Sequence, residues 1–183
     1  VRADDGELGH ARAVKARRLR RFLAVVALLG LAADQVTKVL AVALLTPGEP
    51  VPLVGDLLQL VLLRNPGAAF SFATGATWVF TVIAVVVVIA VLRVSRKLGS
   101  RTWALALGLL LAGATGNLVD RLVRAPGFAR GHVVDFLALP NWPVFNVADS
   151  MICTAAALIV LLALRGTEID GRRATGRRGA PRA

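Results

Sequence analysis

Apolar residues fall in four long blocks along the chain, at 22–45, 76–92, 102–119 and 144–164. The first is broken only by Asp34, Gln35, Thr37 and Lys38, and the second, rich in valine and isoleucine, carries no charge. A hydrocarbon core of about 30 Å needs ~20 helical residues at ~1.5 Å per residue, so each block is long enough to cross a bilayer. The valines at 85–88 would favour a strand in water. In hydrocarbon an isolated strand leaves its backbone groups unpaired, so the pattern predicts helix there as well. Between the first two blocks, 46–75 contains four prolines and a short Leu57–Leu63 run in which apolar and polar positions alternate loosely, as in a small sheet or an interfacial segment. The connection 122–143, with Pro126, Pro140 and Pro143, reads as a loop.

Charge sets the orientation. The N-terminal tail, the connection between the second and third blocks and the C-terminal tail together hold 17 basic residues, against three (Arg64, Arg124, Arg130) in the opposite connections. The positive-inside rule then places both termini in the cytoplasm, in keeping with an even number of spans. A basic stretch before an apolar run also describes a secretory signal peptide. Here apolar sequence resumes after Asp34, and three further spans need an anchored first one. The chain of 183 residues is 56% hydrophobic and carries a formal charge of +11, but its basic segments lie outside the apolar blocks. This argues against a compact nucleic-acid-binding domain and for attraction to anionic lipid headgroups. The expected organisation is a disordered basic tail over 1–19, a four-helix membrane domain over 20–166 and a second disordered basic tail over 167–183. One cysteine and two histidines (His10 and His132) allow no disulfide framework and favour no zinc site, so no cofactor or metal is expected.

Ionisable groups inside a span are costly and are functional candidates by default. Counted from the basic residue that closes each helix, Asp34 and Lys38 lie at about 20 and 26 Å, Asn117 and Asp120 at about 24 and 28 Å, and Asp149 and Asn146 at about 24 and 28 Å. Polar groups of three helices therefore share one layer near the outer surface, and the second helix contributes none. Asp34 and Lys38, four apart, can neutralise one another. Asp120 and Arg121 form an adjacent acid–base pair. Asp149 has no basic residue within four positions, and Asp135 in the preceding connection is the nearest carboxylate without a partner. Two carboxylates without a matching cation hold one shared proton when close, which suits general acid–base chemistry. Cys153, one turn after Asp149, has no histidine in reach and reads as apolar filler. A small proton-coupled transporter or channel subunit using Asp34, Asp120 and Asp149 is the alternative, but its relay would run through the whole membrane depth.

These residues sit in five blocks: Asp34-Gln-Val-Thr-Lys38, Asn65-Pro-Gly-Ala-Ala-Phe70, Gly116-Asn-Leu-Val-Asp-Arg121, Val133-Val-Asp-Phe136 and Phe145-Asn-Val-Ala-Asp149. In this order, across 20–165, they resemble signal peptidase II, the lipoprotein signal peptidase of bacteria. The resemblance implies an all-α membrane protein of four transmembrane helices with a small extracytoplasmic β segment between helices 1 and 2. It implies an aspartic endopeptidase of the bacterial cytoplasmic membrane, active near the outer face. Such an enzyme removes signal peptides from diacylglyceryl-modified prolipoproteins, before the lipidated cysteine. Carried over, Asp135 and Asp149 are the catalytic pair, Asn65, Asn117, Arg121 and Asn146 line the substrate site, and Asp34, Lys38 and Asp120 support it. Expected partners are the prolipoprotein substrate and membrane lipid, with no nucleic acid, and the protein is expected to act as a monomer. The segment between Arg121 and Gly131 is several residues longer than the family's common form.

Overall fold

A computed structural model describes residues 2–67 and 77–173. Four helices dominate: α1 (Arg2–Leu44), α2 (Thr77–Val94), α3 (Arg101–Val123) and α4 (Val147–Leu164). Each contains a segment long and apolar enough to cross a membrane. The valine-rich block is helical, as hydrocarbon requires. Much of the outward surface is apolar, with Leu28, Leu29, Val82 and Val86 among the exposed side chains.

Helix ends follow local chemistry. The hydroxyl oxygen of Ser100 accepts from the Trp103 amide at the start of α3. Asn146 caps α4, so that helix begins three residues later than the apolar block. At the other end of the chain the expectation of a disordered tail over 1–19 is corrected, because the α1 backbone is helical from Arg2. Arg, Ala, Lys, Glu and Leu are good helix formers and no proline interrupts them, so the spanning helix extends into the charged segment. The C-terminal tail is corrected in part. Residues 167–173 form a turn fastened to the bundle, with the Gly99 amide donating to Ile169 O (2.9 Å) and Trp103 Nε1 to Thr167 O (2.9 Å). Residues 174–183, read as the rest of that tail, lie outside those described.

Three antiparallel strands form one sheet in the order β1 (Val51–Val54), β2 (Leu58–Asn65) and β3 (Val133–Ala138). The first two come from the 46–75 segment, as expected. The third corrects the reading of 122–143 as a loop. Its run Val-Val-Asp-Phe-Leu-Ala pairs with β2, placing Asp135 opposite Leu63 and Val133 opposite Asn65. Alternation sends Val134 and Phe136 into an apolar cluster with Ala41 and Leu62, while Asp135 and Asn65 share the other face.

Helix α3 is the centre of the bundle, packed on α1, α2 and α4. Its small residues allow close approach. A Cβ on Gly113 would stand 2.5 Å from Ala148 O of α4, and one on Gly116 would collide with the Asp34 carboxylate of α1. Replacing Gly116 by alanine should therefore lower thermal stability in detergent by about 1–3 kcal/mol. Gly127→Ala, in open space, should leave the melting temperature unchanged.

Candidate active site

The polar layer closes around Lys38. Its ammonium lies 2.9 Å from Asp34 Oδ2 and 2.9 Å from Asp120 Oδ2, and donates to Asn117 Oδ1 at 3.0 Å. Lys38, Asp34 and Asp120 are completely buried. The second oxygen of Asp120 receives Arg124 Nε at 2.6 Å, so two acids meet two bases and the cluster is neutral. Neutrality matters because an unpaired buried charge costs several kcal/mol.

Both carboxylates also reach beyond the ion pairs. Asp34 Oδ1 accepts from the Ala148 amide (2.9 Å), one of the unpaired N–H groups in the first turn of α4. Asp120 Oδ2 accepts from the Val134 amide (3.2 Å), the residue before Asp135. One lysine thereby anchors both the helix that carries Asp149 and the strand that carries Asp135.

Asn146 joins the two acids. Its Oδ1 accepts from the Asp149 amide (2.9 Å) while Asp149 Oδ2 accepts from the Asn146 amide (3.2 Å), a capping box. Asn146 Nδ2 donates to Asp135 Oδ1 at 2.6 Å and to Asn117 Oδ1 at 3.3 Å. Asn117 Nδ2 donates to Asp149 Oδ1 (2.8 Å), and Asn65 Nδ2 to Asp135 Oδ2 (2.7 Å). Asn65 is itself oriented by the Gly67 amide, which donates to its Oδ1 at 2.8 Å. Among the described residues neither Asp135 nor Asp149 forms an ion pair. Burial pushes the Asp135 carboxyl up to about 6, and the neighbouring Asp149 adds to the rise against the hydrogen bonds from Asn65 and Asn146 and the charge of Lys38. No three His, Cys, Asp or Glu side chains come together as metal ligands among the described residues.

All nine candidate residues meet here, with one departure from the expected pairing. Asp120 pairs with Lys38 and Arg124, not with its neighbour Arg121, because consecutive helical residues point in different directions whereas residues four apart share a face. Arg124 was missed, although its spacing from Asp120 is legible in the sequence. Arg121 instead donates Nη1 to Asn117 O (3.1 Å) and lies 5.7 Å over the Phe80 ring. Its Nε is buried with no hydrogen-bond partner among the described residues. Helix α2 thus supplies no charge to the layer but does supply an aromatic face. Gln35, also missed, donates to Asp34 Oδ2 (3.0 Å) and to Gly116 O (3.1 Å). Below Arg121 a cavity of about 230 Å³ runs between α2, α3 and α4, lined by Phe80, Ala84, Val87, Leu110 and Ile152.

The family model for signal peptidase (SPase) II matches residues 26–165, all four apolar segments and every residue of the polar layer. The chain belongs to the signal peptidase II family. Similar members are the lipoprotein signal peptidases of Rhodococcus jostii (strain RHA1), 56% identical over 94% of this chain and 87% of that protein, and Mycobacterium avium (strain 104), 57% identical over 86% and 87%. That of Mycobacterium tuberculosis (strain ATCC 25618 / H37Rv) is 55% identical over 86% of this chain and 78% of its own length. Two solved structures, each described as a bacterial membrane enzyme, share the fold. They superpose with TM-scores of 0.71 and 0.70, at 26% and 29% identity, over 87% and 79% of this chain and 94% of each. The protein is thus a multi-pass membrane protein and a peptidase.

Lys38→Met would leave the buried Asp34 without a cation and Asp120 with Arg124 alone, and should destabilise the protein by about 3–5 kcal/mol in thermal or denaturant unfolding. Infrared titration should show a protonated carboxyl that is lost, as pH rises, with a midpoint near about 6. Asp149→Asn removes the adjacent charge and should move that midpoint down. Asn65→Ala removes a hydrogen bond to the ionised form and should move it up.

Proposed function

We propose that the protein is an aspartic membrane endopeptidase that cleaves diacylglyceryl-modified prolipoproteins immediately before the lipidated cysteine, with Asp135 and Asp149 as its catalytic pair. The observation that carries this reading is the bridge through Asn146. Two acids share one asparagine, outside the neutral Lys38 cluster, and neither has an ion-pair partner among the described residues. Such a pair holds one proton at and below the midpoint of its raised member, and Asp135, pushed up to about 6, is that member.

In the proposed reaction, protonated Asp135 hydrogen-bonds the scissile carbonyl oxygen. Asp149 takes a proton from water as the water oxygen bonds to the carbonyl carbon. Asp135 transfers its proton to the carbonyl oxygen, giving a gem-diol. Collapse breaks the C–N bond, Asp149 passes its proton to the leaving nitrogen, and a gem-diol hydroxyl returns a proton to Asp135. Asn65 and Asn117 offer amide groups to an extended peptide without adding charge. The Nε of Arg121, without a partner among the described residues, is a donor for a substrate carbonyl, and the apolar cavity beneath it accepts an alkyl chain. Asp34, Lys38 and Asp120 act through their backbone contacts, as positioning residues.

The basic residues support an orientation in the bacterial cytoplasmic membrane with both termini in the cytoplasm and the aspartates near the outer face. All these groups come from one chain, which supports action as a monomer. The relatives' name, lipoprotein signal peptidase, supports the substrate class. Purified protein should cleave a lipidated precursor peptide and leave its unlipidated counterpart largely intact. Asp135→Asn and Asp149→Asn should each lower single-turnover cleavage by at least about 10³-fold while melting like the wild type. Normal turnover by either variant would refute the pair.

A further inference from the structure

At the end of the bundle farthest from the aspartates, three segments meet: the N-terminal part of α1, the 3₁₀ turn Ser95–Lys97 with its link to α3, and the turn at 167–173. Arg101 lies 5.0 Å over the Phe22 ring, which fixes where α1 passes level with the start of α3. Lys15 is two turns, about 10 Å, beyond that level. Helices α2, α3 and α4 all end or begin here, at Val94, Arg101 and Leu164. This is the depth at which hydrocarbon gives way to headgroups.

The place is built. Besides the hydrogen bonds from Gly99 and Trp103, a Cβ on Gly99 would overlap the Asp170 carbonyl oxygen. The turn is therefore seated directly on the link. Between them and α1 lies a cavity of about 390 Å³ lined by Lys15, Arg96, Lys97 and Arg172, with Asp170 as its one acid. Of the four cations only Arg172 is in an ion pair among the described residues, with Asp170 at 3.3 Å. A second cavity of about 560 Å³ shares Lys97 and Asp170 with the first, adds Glu168 and presents Trp103, Ala163 and Ile169.

We infer that this pair of cavities binds an anionic phospholipid of the surrounding bilayer, its phosphate among Lys15, Arg96, Lys97 and Arg172 and its glycerol backbone against Trp103 and Ile169. A cationic notch beside an apolar one, at headgroup depth, matches an amphiphile with a negative head. The excess of two positive charges over the two cavities discriminates against a zwitterionic head. Nothing in this inference depends on the peptidase chemistry.

The test is native mass spectrometry of the full chain released from equimolar phosphatidylglycerol and phosphatidylcholine. The wild type should retain phosphatidylglycerol about fivefold or more over phosphatidylcholine. Lys15→Gln/Arg96→Gln/Lys97→Gln should bring that ratio close to one. Arg17→Gln/Arg18→Gln/Arg20→Gln, which removes the same charge from the exposed face of α1, should keep it. Where the triple variant does not insert, Lys97→Glu alone should lower the ratio at least about twofold. Equal retention of the two lipids by the wild type would overturn the site, and so would an equal loss in both triple variants. Displacement of the retained lipid by millimolar inorganic phosphate would assign the notch to free phosphate and overturn it as well.

Discussion

Lys38 holds two carboxylates within ion-pair distance in a fully buried region where charge is expensive. Its importance lies less in net stability than in what the carboxylates do with their remaining hydrogen-bonding capacity. A buried ion cluster is weak evidence for stabilisation, since hydrophobic replacements can serve as well. Here, however, Asp34 accepts an amide from the first turn of α4 and Asp120 an amide from β3. Three helices and one strand are thereby tied at a common depth, and Asp135 and Asp149, without an ion pair among the described residues, stand on the elements so tied.

That arrangement separates two electrostatic environments a few residues apart. The Lys38 cluster is neutral, with two acids matched by Lys38 and Arg124. The Asp135 and Asp149 side chains receive amide hydrogen bonds instead of cations. Amides orient a carboxyl without forcing it to ionise as strongly as a salt bridge does, and burial of Asp135 acts in the opposite direction. Proton sharing needs such a setting, and ion pairing to each acid would abolish it.

Much of this was legible in the sequence, because bilayer thickness turns run length into helix and intramembrane charge into a candidate site. The i,i+4 pair Asp34–Lys38 follows from local spacing. Strand β3 did not, since its partner β2 is some 70 residues away and no local pattern records that pairing. The helical N-terminal segment was obscured for another reason: dense charge resembles a solvated tail, although the same residues propagate a helix once a spanning segment has nucleated it. Arg124 was hidden behind Arg121, the nearer neighbour in sequence but not on the helix surface.

The most direct test is a structure of the protein with a precursor peptide whose scissile amide is replaced by a secondary alcohol, a stand-in for the tetrahedral gem-diol. The account predicts that this hydroxyl lies within about 3 Å of a carboxyl oxygen of both Asp135 and Asp149. A bound peptide whose hydroxyl contacts neither acid, or is held by Cys153, would contradict it.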